Sequence, residues 1–566
     1  MRLIQLGLAA FVAIGTTTAA PSALRADAGA YLAAQASSSA YAFEDAQRYL
    51  DRALDEEPYN PRLLEARIQA AIGMGAWEEA VPFAQRLDES GQVSQIATIT
   101  LMVDATLNER WDDLFALLES GRTAGSLVDG LMQAWALYGE GRVQRSVEAF
   151  DDVIAARGLR SYGLYHKALA LAAVGDLEGA EAIFALPASE GMQPTLRSVQ
   201  AHAEILSQLG RTDAAIAMID GMLGSNPEQV FVEMRAALEA GETLPRSFAR
   251  NAKEGIAEVL FNVSAVLQDE NDPAVGLIYA RGAEAIWPDH VHAITLAAQY
   301  LERLDRYALA IAAYEKVPEN NPTFAEAQMA RAEALRRSGE AEAGITALTE
   351  LAATFPERAL VQAALGDALR WDDQMAEAEM AYSRALEQFE GDHPSKWFVL
   401  YTRGITRERQ GKWPEAEADF RASLDLNPDH PSVLNYLGYS LVEKQTNLEE
   451  ALGMIETAVA ERPQSGAIVD SLGWAQFRLG RYDEAVKNLE RAAELEPVDP
   501  IITDHLGDAL WAVGREIEAQ FQWRRALSFE PEEAEADRIR RKLEVGLDAV
   551  LAEEGADPLE RGDDAD

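Results

Sequence analysis

One stretch of this chain, SLGWAQFRLGRYDEAVKNLERAAELEP (residues 471–497), keeps coming back. With Gly466 as position 1 of a unit, Leu472 and Gly473 fall at positions 7 and 8, Gly480 at 15, Ala485 at 20, Ala492 at 27 and Pro497 at 32. The unit starting at Pro500 repeats these columns with Leu506, Gly507, Gly514, Ala519, Ala526 and Pro531. From Pro431 they return as Leu437 and Gly438, with Ala451, Ala458 and Pro463 one place late; from Trp397 they are Gly404, Gly411, Ala416 and Pro428. Weaker copies start near Ala359, Ala325, Val291 and Ala257, and in the N-terminal half near Asp27, Pro61, Gln95, Leu127, Ser161 and Leu196. A fixed period of this size predicts a solenoid, because one such unit cannot bury its apolar face alone and a stack can.

The columns have a physical reading. Position 15 follows a first helix, where a left-handed residue is needed and glycine has no Cβ to clash. It is Gly75, Gly141, Gly175, Gly210, Gly339, Gly411, Gly480 and Gly514, eight of fourteen units, against about one expected from average glycine usage. The small residues at positions 8 and 20 let two antiparallel helices approach closely. Large ones at position 24, such as Phe150, Phe184, Tyr314, Tyr382, Phe420 and Trp523, fill the space between them. Proline at position 32 (Pro58, Pro227, Pro288, Pro322, Pro356, Pro428, Pro497 and Pro531) ends the second helix.

This pattern of Leu-Gly, Tyr, Ala, a large residue, Ala and Pro resembles the tetratricopeptide repeat, or TPR, over nearly the whole chain and most specifically over 397–533. The resemblance implies a right-handed, all-α superhelix of about 14 helix-turn-helix units, with a concave face that takes peptides or protein segments. It also resembles the layout of exported bacterial multi-TPR proteins. Two places break the rhythm. Residues 230–256 fit no unit and read as an irregular connector between an N-terminal array (29–229) and a C-terminal array (257–533); four extra residues lie around 390–396. After Pro531, residues 534–566 read as a charged amphipathic helix that caps the last unit, followed by an acidic tail.

The first residues predict export. Met1-Arg2, the uncharged run from Leu3 to Gly15 and the A-x-A site at Ala26-Asp27-Ala28 make a signal peptide (1–28), so the mature chain begins near Asp27 or Gly29 in the periplasm or cell envelope. The run is too short to span a bilayer comfortably, and no other stretch is apolar enough. A formal charge of -44 repels nucleic-acid backbones and anionic lipid. Without cysteine there is no disulfide, thiol catalysis or zinc–thiolate site.

Catalytic chemistry is hard to place. No phosphate loop, dinucleotide fingerprint or nucleophile elbow is present. Among seven histidines, His290 and His292 read as exposed turn residues rather than metal ligands, and His505 as groove lining or surface. His166, His202, His393 and His430 have no companion motif. No cofactor or metal is expected.

A partner surface is easier to place. First helices line the concave face in the family resembled, and positions 5 and 9 share one side of a helix. In the last three units these are Asn435 and Tyr439, Asp470 and Trp474, and Asp504 and Asp508, with Trp511 at position 12 of the last. Carboxylates beside aromatics suit a basic or amphipathic protein segment, by stacking and cation–π contact. The two-carboxylate clamp of chaperone-binding TPR proteins needs Lys, Arg and Asn here, and this sequence departs from it with Asp. The reading is therefore a non-catalytic protein-interaction scaffold or adaptor of the envelope. A glycan-handling or enzymatic use of the aromatic groove and a self-assembling structural element are the alternatives.

Overall fold

The computed structural model describes residues 28–559 apart from 188, 224–227, 390, 392 and 557. The proposed signal segment up to residue 27 and the acidic tail from 560 lie outside the described residues. Among those described there are 31 α-helices, one short 3-10 helix and no strand. Twenty-eight of the α-helices form fourteen consecutive pairs, beginning with Ala28–Ser39 and Phe43–Glu56 and ending with Pro500–Ala512 and Glu516–Leu527. The chain divides into two compact units, 1–347 and 348–566.

The columns act as the sequence predicts. At position 8 the missing Cβ makes room for the position-24 side chain of the paired helix: Tyr382 over Gly366, Phe420 over Gly404, Leu489 over Gly473 and Trp523 over Gly507. At position 15, Gly480 has φ +74° and Gly514 φ +79°, which turns the chain from first helix to second. In Gly473→Leu the first added carbon alone would lie 2.6 Å from Leu489 Cγ, so overpacking should cost about 1–3 kcal/mol. Urea unfolding followed by circular dichroism should show this loss, with the exposed Glu456→Ala near neutral. Equal midpoints for Gly473→Leu and wild type would refute the register.

Within the N-terminal unit the connector is not a seam between arrays. Gln229–Glu239 is a lone helix. Residues 240–251 then run without helix to Asn251, whose side chain caps the helix Ala252–Val266. That helix and its partner Pro273–Ile286 fold back onto the first helices of four earlier pairs. Helix 252–266 packs on Ser126–Gly139 and Arg160–Ala173, and helix 273–286 on Pro61–Gly73 and Gln95–Leu107. Ile256, Ala257, Val259, Leu260, Ala280 and Ala283 are buried in the largest core cluster as a result. Gly255 lets Trp135 sit against the helix backbone, and Gly276 does the same for Tyr300. The inner face of the N-terminal array is thus filled by the chain's own helices, and the compact division falls at 347/348 instead of at the connector.

In the C-terminal unit first helices pack on one another, Pro431–Glu443 on Gly466–Arg478 and the latter on Pro500–Ala512, and so line the inside of the curve. The cap is two helices rather than the single one expected, Glu533–Val545 and Leu547–Glu554. Gly546 separates them at φ +83°, where an added Cβ would meet Trp511 at 2.6 Å.

Candidate functional site

The N-terminal unit carries a buried polar network where the returning helix meets the array. Glu258, fully buried on helix 252–266, accepts two hydrogen bonds from Arg197, at 2.8 Å from Nε and 2.5 Å from Nη2. Tyr165 donates to the same carboxylate at 2.9 Å, and His290 Nε2 lies 3.2 Å away. Arg197 also reaches His292 Nδ1 at 2.9 Å and lies over the Phe248 ring at 4.4 Å. Burial alone would raise Glu258; Arg197 and His290 hold it well below the usual carboxylate range. Next to it Trp135 donates to His166 Nδ1 at 3.1 Å.

The connector is held by side chains of the helix Leu196–Gln208. Gln208 donates to the Leu244 carbonyl at 2.6 Å and Ser207 Oγ accepts from the Leu244 N–H at 2.9 Å. Glu204 accepts from Ser247, 2.7 Å from its N–H and 2.6 Å from its hydroxyl. A non-helical stretch of chain is therefore bound, through backbone groups and short polar side chains, by the residues of a first helix.

In the C-terminal unit the expected stripe is largely occupied by neighbouring helices. Asp470 is 5% exposed and pairs with His505 Nδ1 at 3.0 Å. Trp474, 6% exposed, stacks on His505 at 4.0 Å and on Phe477 at 4.9 Å, and donates to Glu443 at 2.6 Å. Lys542 of the cap, fully buried, donates to Asp504 at 2.7 Å and to both oxygens of Asp508 at 2.6 and 2.7 Å. Trp523 donates to Asp508 at 2.9 Å, and Trp511 to Asp548 at 2.8 Å. Asp504 is raised by burial and by the charge of Asp508, against the lowering effect of Lys542. Apart from the Trp523–Asp508 bond and the Trp474–Phe477 stack, which lie within one repeat, these contacts stitch one repeat to the next, so Asp504 and Asp508 have their counter-ion inside the chain.

Two stripe positions differ. Tyr439 is half-buried, and burial with the charges of Glu443, Asp470 and Glu535 pushes its phenol upward. Asn435 Oδ1 is buried without a hydrogen-bond partner among the described residues. On the preceding first helix, Lys396–Arg409, Phe398 is 42% exposed and Tyr401 packs edge-on against Tyr436, with ring centres 6.0 Å apart.

Tetratricopeptide-repeat family models match residues 131–192, 295–356, 356–429, 401–466 and 470–497. The chain carries tetratricopeptide repeats. It is 30% identical over 178 residues to the "TPR repeat-containing protein PA4667" of Pseudomonas aeruginosa, a match over 31% of this chain and 29% of that protein. The chain thus spans about three-tenths of the length of that curated relative. Among solved structures, Cut9–Hcn1 of an APC/C hetero-tetramer aligns over 92% of this chain and 96% of its own, at 13% identity and TM-score 0.39. A tetratricopeptide repeat protein from Parabacteroides merdae covers 51% and 98% at 16% identity and TM-score 0.34. MamA from Desulfovibrio magneticus covers 31% and 97% at 19% identity and TM-score 0.28. TPR arrays serve as protein-interaction scaffolds. No helix among the described residues is long and apolar enough to cross a membrane.

The histidine expectations need correction. His290 is 2% exposed because its ring caps the helix Val291–Arg303 and meets Glu258. His505 is buried as well, 8% exposed, and pairs with Asp470. No group of three or more potential ligands is arranged for a metal among the described residues. Sequence reasoning missed Glu258, although a lone carboxylate inside the apolar run IAEVLF was a visible sign of a buried ion pair. It also missed Lys542. Continuing the register from Ala534 puts Arg538 and Lys542 at positions 5 and 9, one unit beyond the two aspartates.

The histidines around Glu258 and the histidine beside Asp470 should titrate in opposite directions. Burial pushes His166 and His202 down to about 4, His292 to about 3, and His290 down as well. Each contributes stability that is present above the ordinary histidine pKa and is lost as pH falls toward the depressed value. Burial raises Glu204 to about 7, and Glu228 and Glu302 upward as well, which works the other way, but none of these is on helix 160–173 or 252–266. In the C-terminal unit burial disfavours charge on His505, yet Asp470 overrides it and the net shift is upward. Its contribution is complete below the unfolded pKa and lost as pH rises through the folded one. Hydrogen exchange between pH 7 and 5 should show weakening of helices 160–173 and 252–266 while helices 466–478 and 500–512 hold. His166→Gln should flatten the first trend. An unchanged slope in that variant would count against it.

Proposed function

We propose that this TPR protein is a non-catalytic scaffold of the bacterial cell envelope that holds a segment of a partner protein along helices 396–409 and 431–443. The observation that carries the reading is the way the chain treats its own connector: first-helix side chains Glu204, Ser207 and Gln208 bind non-helical backbone at Leu244 and Ser247. The corresponding inner face at Phe398, Tyr401, Asn435 and Tyr439 offers exposed or half-open aromatic rings beside a half-buried amide side chain. Glu443, Asp470 and Glu535 around Tyr439 favour a basic or amphipathic segment. Asp470, Trp474, Asp504, Asp508 and Trp511 would act here by fixing the wall on which that segment lies.

A photo-crosslinking residue at Phe398 tests this, with exposed Glu456 as the control position. Crosslinks to a protein at 398 and none at 456 are expected, and Tyr439→Ala should abolish them with helical content unchanged. Equal labelling at both positions would place the contact elsewhere. The envelope assignment rests on the N-terminal signal architecture. The intact mass of the cell-derived protein should correspond to a start near Asp27 or Gly29, and a mass retaining Met1 to Gly15 would end it.

A further inference from the structure

The second helix of the last repeat, Glu516–Leu527, carries an apolar ridge that the repeat does not call for. Ile517 is 87% exposed and Phe521 63%, one helical turn apart on one face. The same columns of the preceding unit hold Asp483 and Lys487, both exposed, so packing one unit on the next needs neither apolar side chain. Helix 533–545 of the cap packs on this helix and still leaves the ridge uncovered. The charges beside the ridge indicate what covers it. Glu518 is engaged with Arg515, and Arg525 donates to the Pro497 carbonyl. Glu516 and Arg524 are exposed and, among the described residues, have no ion-pair partner; Arg524 donates to the Gln520 side-chain oxygen at 3.3 Å. The helical period puts these two on the same flank of the ridge, about 12 Å apart along the axis and one toward either end.

We propose that this ridge pairs with the same ridge of a second copy of the chain, helix against helix in antiparallel orientation. A two-fold axis perpendicular to both helices sets each flank against the same flank of the other copy and reverses its direction. With the axis near Gln520, Glu516 of each copy faces Arg524 of the other, and the Ile517 and Phe521 side chains of both copies meet between the two ion pairs. A parallel pair would set Glu516 against Glu516 and Arg524 against Arg524, so the charges select one direction as well as one partner. The contact offers two large apolar side chains per copy, which suits a reversible dimer rather than an obligate one. It lies on a second helix and does not depend on what the inner face binds.

Sedimentation equilibrium of the full mature chain over a range of concentrations tests the proposal. A monomer–dimer equilibrium is expected. Phe521→Glu should abolish the dimer and, because the side chain is exposed, leave helical content and melting unchanged. Arg524→Glu should weaken the dimer by about tenfold, since two attractive pairs become repulsive at once, and adding Glu516→Arg to the same chain should restore it. Direction is read separately. The chain has no cysteine, so Glu516→Cys protein mixed with Arg524→Cys protein should form a disulfide-linked dimer faster than either protein alone. A chain that stays monomeric at high micromolar concentration would overturn the proposal. So would a dimer that survives Phe521→Glu, or single-cysteine proteins that link to themselves as fast as to each other. Monomers that bind phosphatidylglycerol-containing vesicles through Phe521 would likewise overturn it, because the ridge would then belong to a membrane surface.

Discussion

Replacing Glu258 by alanine is expected to destabilise the N-terminal unit by about 3–5 kcal/mol, because breaking a buried ion pair leaves the other charge uncompensated. The Arg197 side chain is 12% exposed and that of Glu258 is not exposed at all, so water cannot replace the lost carboxylate without entering the core. Tyr165 and His290 lose their shared partner in the same step. The substitution also removes the contact that anchors the returning helix to the wall of the array. Hydrogen exchange should therefore lose protection in helices 160–173, 196–208 and 252–266 together, while the C-terminal unit keeps its own. The double variant Glu258→Met, Arg197→Met removes both charges at similar volume and should recover much of the loss. If Glu258→Ala unfolds at the wild-type urea concentration, the network is an ornament of the core and not what holds the groove filled.

The contrast between what the sequence shows and what it hides follows from the range of each interaction. Gly473 and Leu489 lie within one unit, and so do Gly507 and Trp523. Such pairs recur at fixed spacing, which is why the pairing of helices was legible. Where the array goes was not, because its path depends on small rotations accumulated between units. Helix 252–266 carries an ordinary pattern of small and apolar residues; nothing in it states that it will lie against helix 126–139 and not in open solvent. The same holds for the stripe. Asn435, Tyr439, Asp470, Trp474, Asp504, Asp508 and Trp511 all lie on first helices, as the repeat register places them. Their partners Glu443, His505, Lys542 and Asp548 come from adjacent helices, and a charge column read one unit at a time cannot tell a free carboxylate from one that meets a lysine in the next unit.

Lys542 decides how much of that acidic stripe the C-terminal unit can show to a ligand. Its ammonium lies within 2.7 Å of Asp504 and of both Asp508 oxygens. Lys542→Met keeps the aliphatic bulk and leaves two neighbouring carboxylates, one of them 1% exposed, without their principal cation. Arg538 remains, at 3.5 Å from Asp508 and 3.8 Å from Asp504, too far to replace three short hydrogen bonds. The loss should be about 3–5 kcal/mol at neutral pH, the range for an orphaned buried charge. It should appear as detachment of helices 533–545 and 547–554, with a change in the fluorescence of Trp511 and Trp523, whose indoles donate to Asp548 and Asp508. Acid should lessen it. Asp504 already has a raised pKa from burial and from Asp508, and removing the lysine raises it further, so protonation on mild acidification relieves the repulsion. The deficit of Lys542→Met relative to wild type should therefore shrink between pH 7 and 5. A deficit that stays constant over that window would mean that the lysine stem, packed over the Trp523 ring with Nζ 5.8 Å from its centre, matters more than its charge. A deficit that shrinks identifies the cap as an internal counter-ion, and Asp504 and Asp508 as groups that a basic partner could reach only by displacing it.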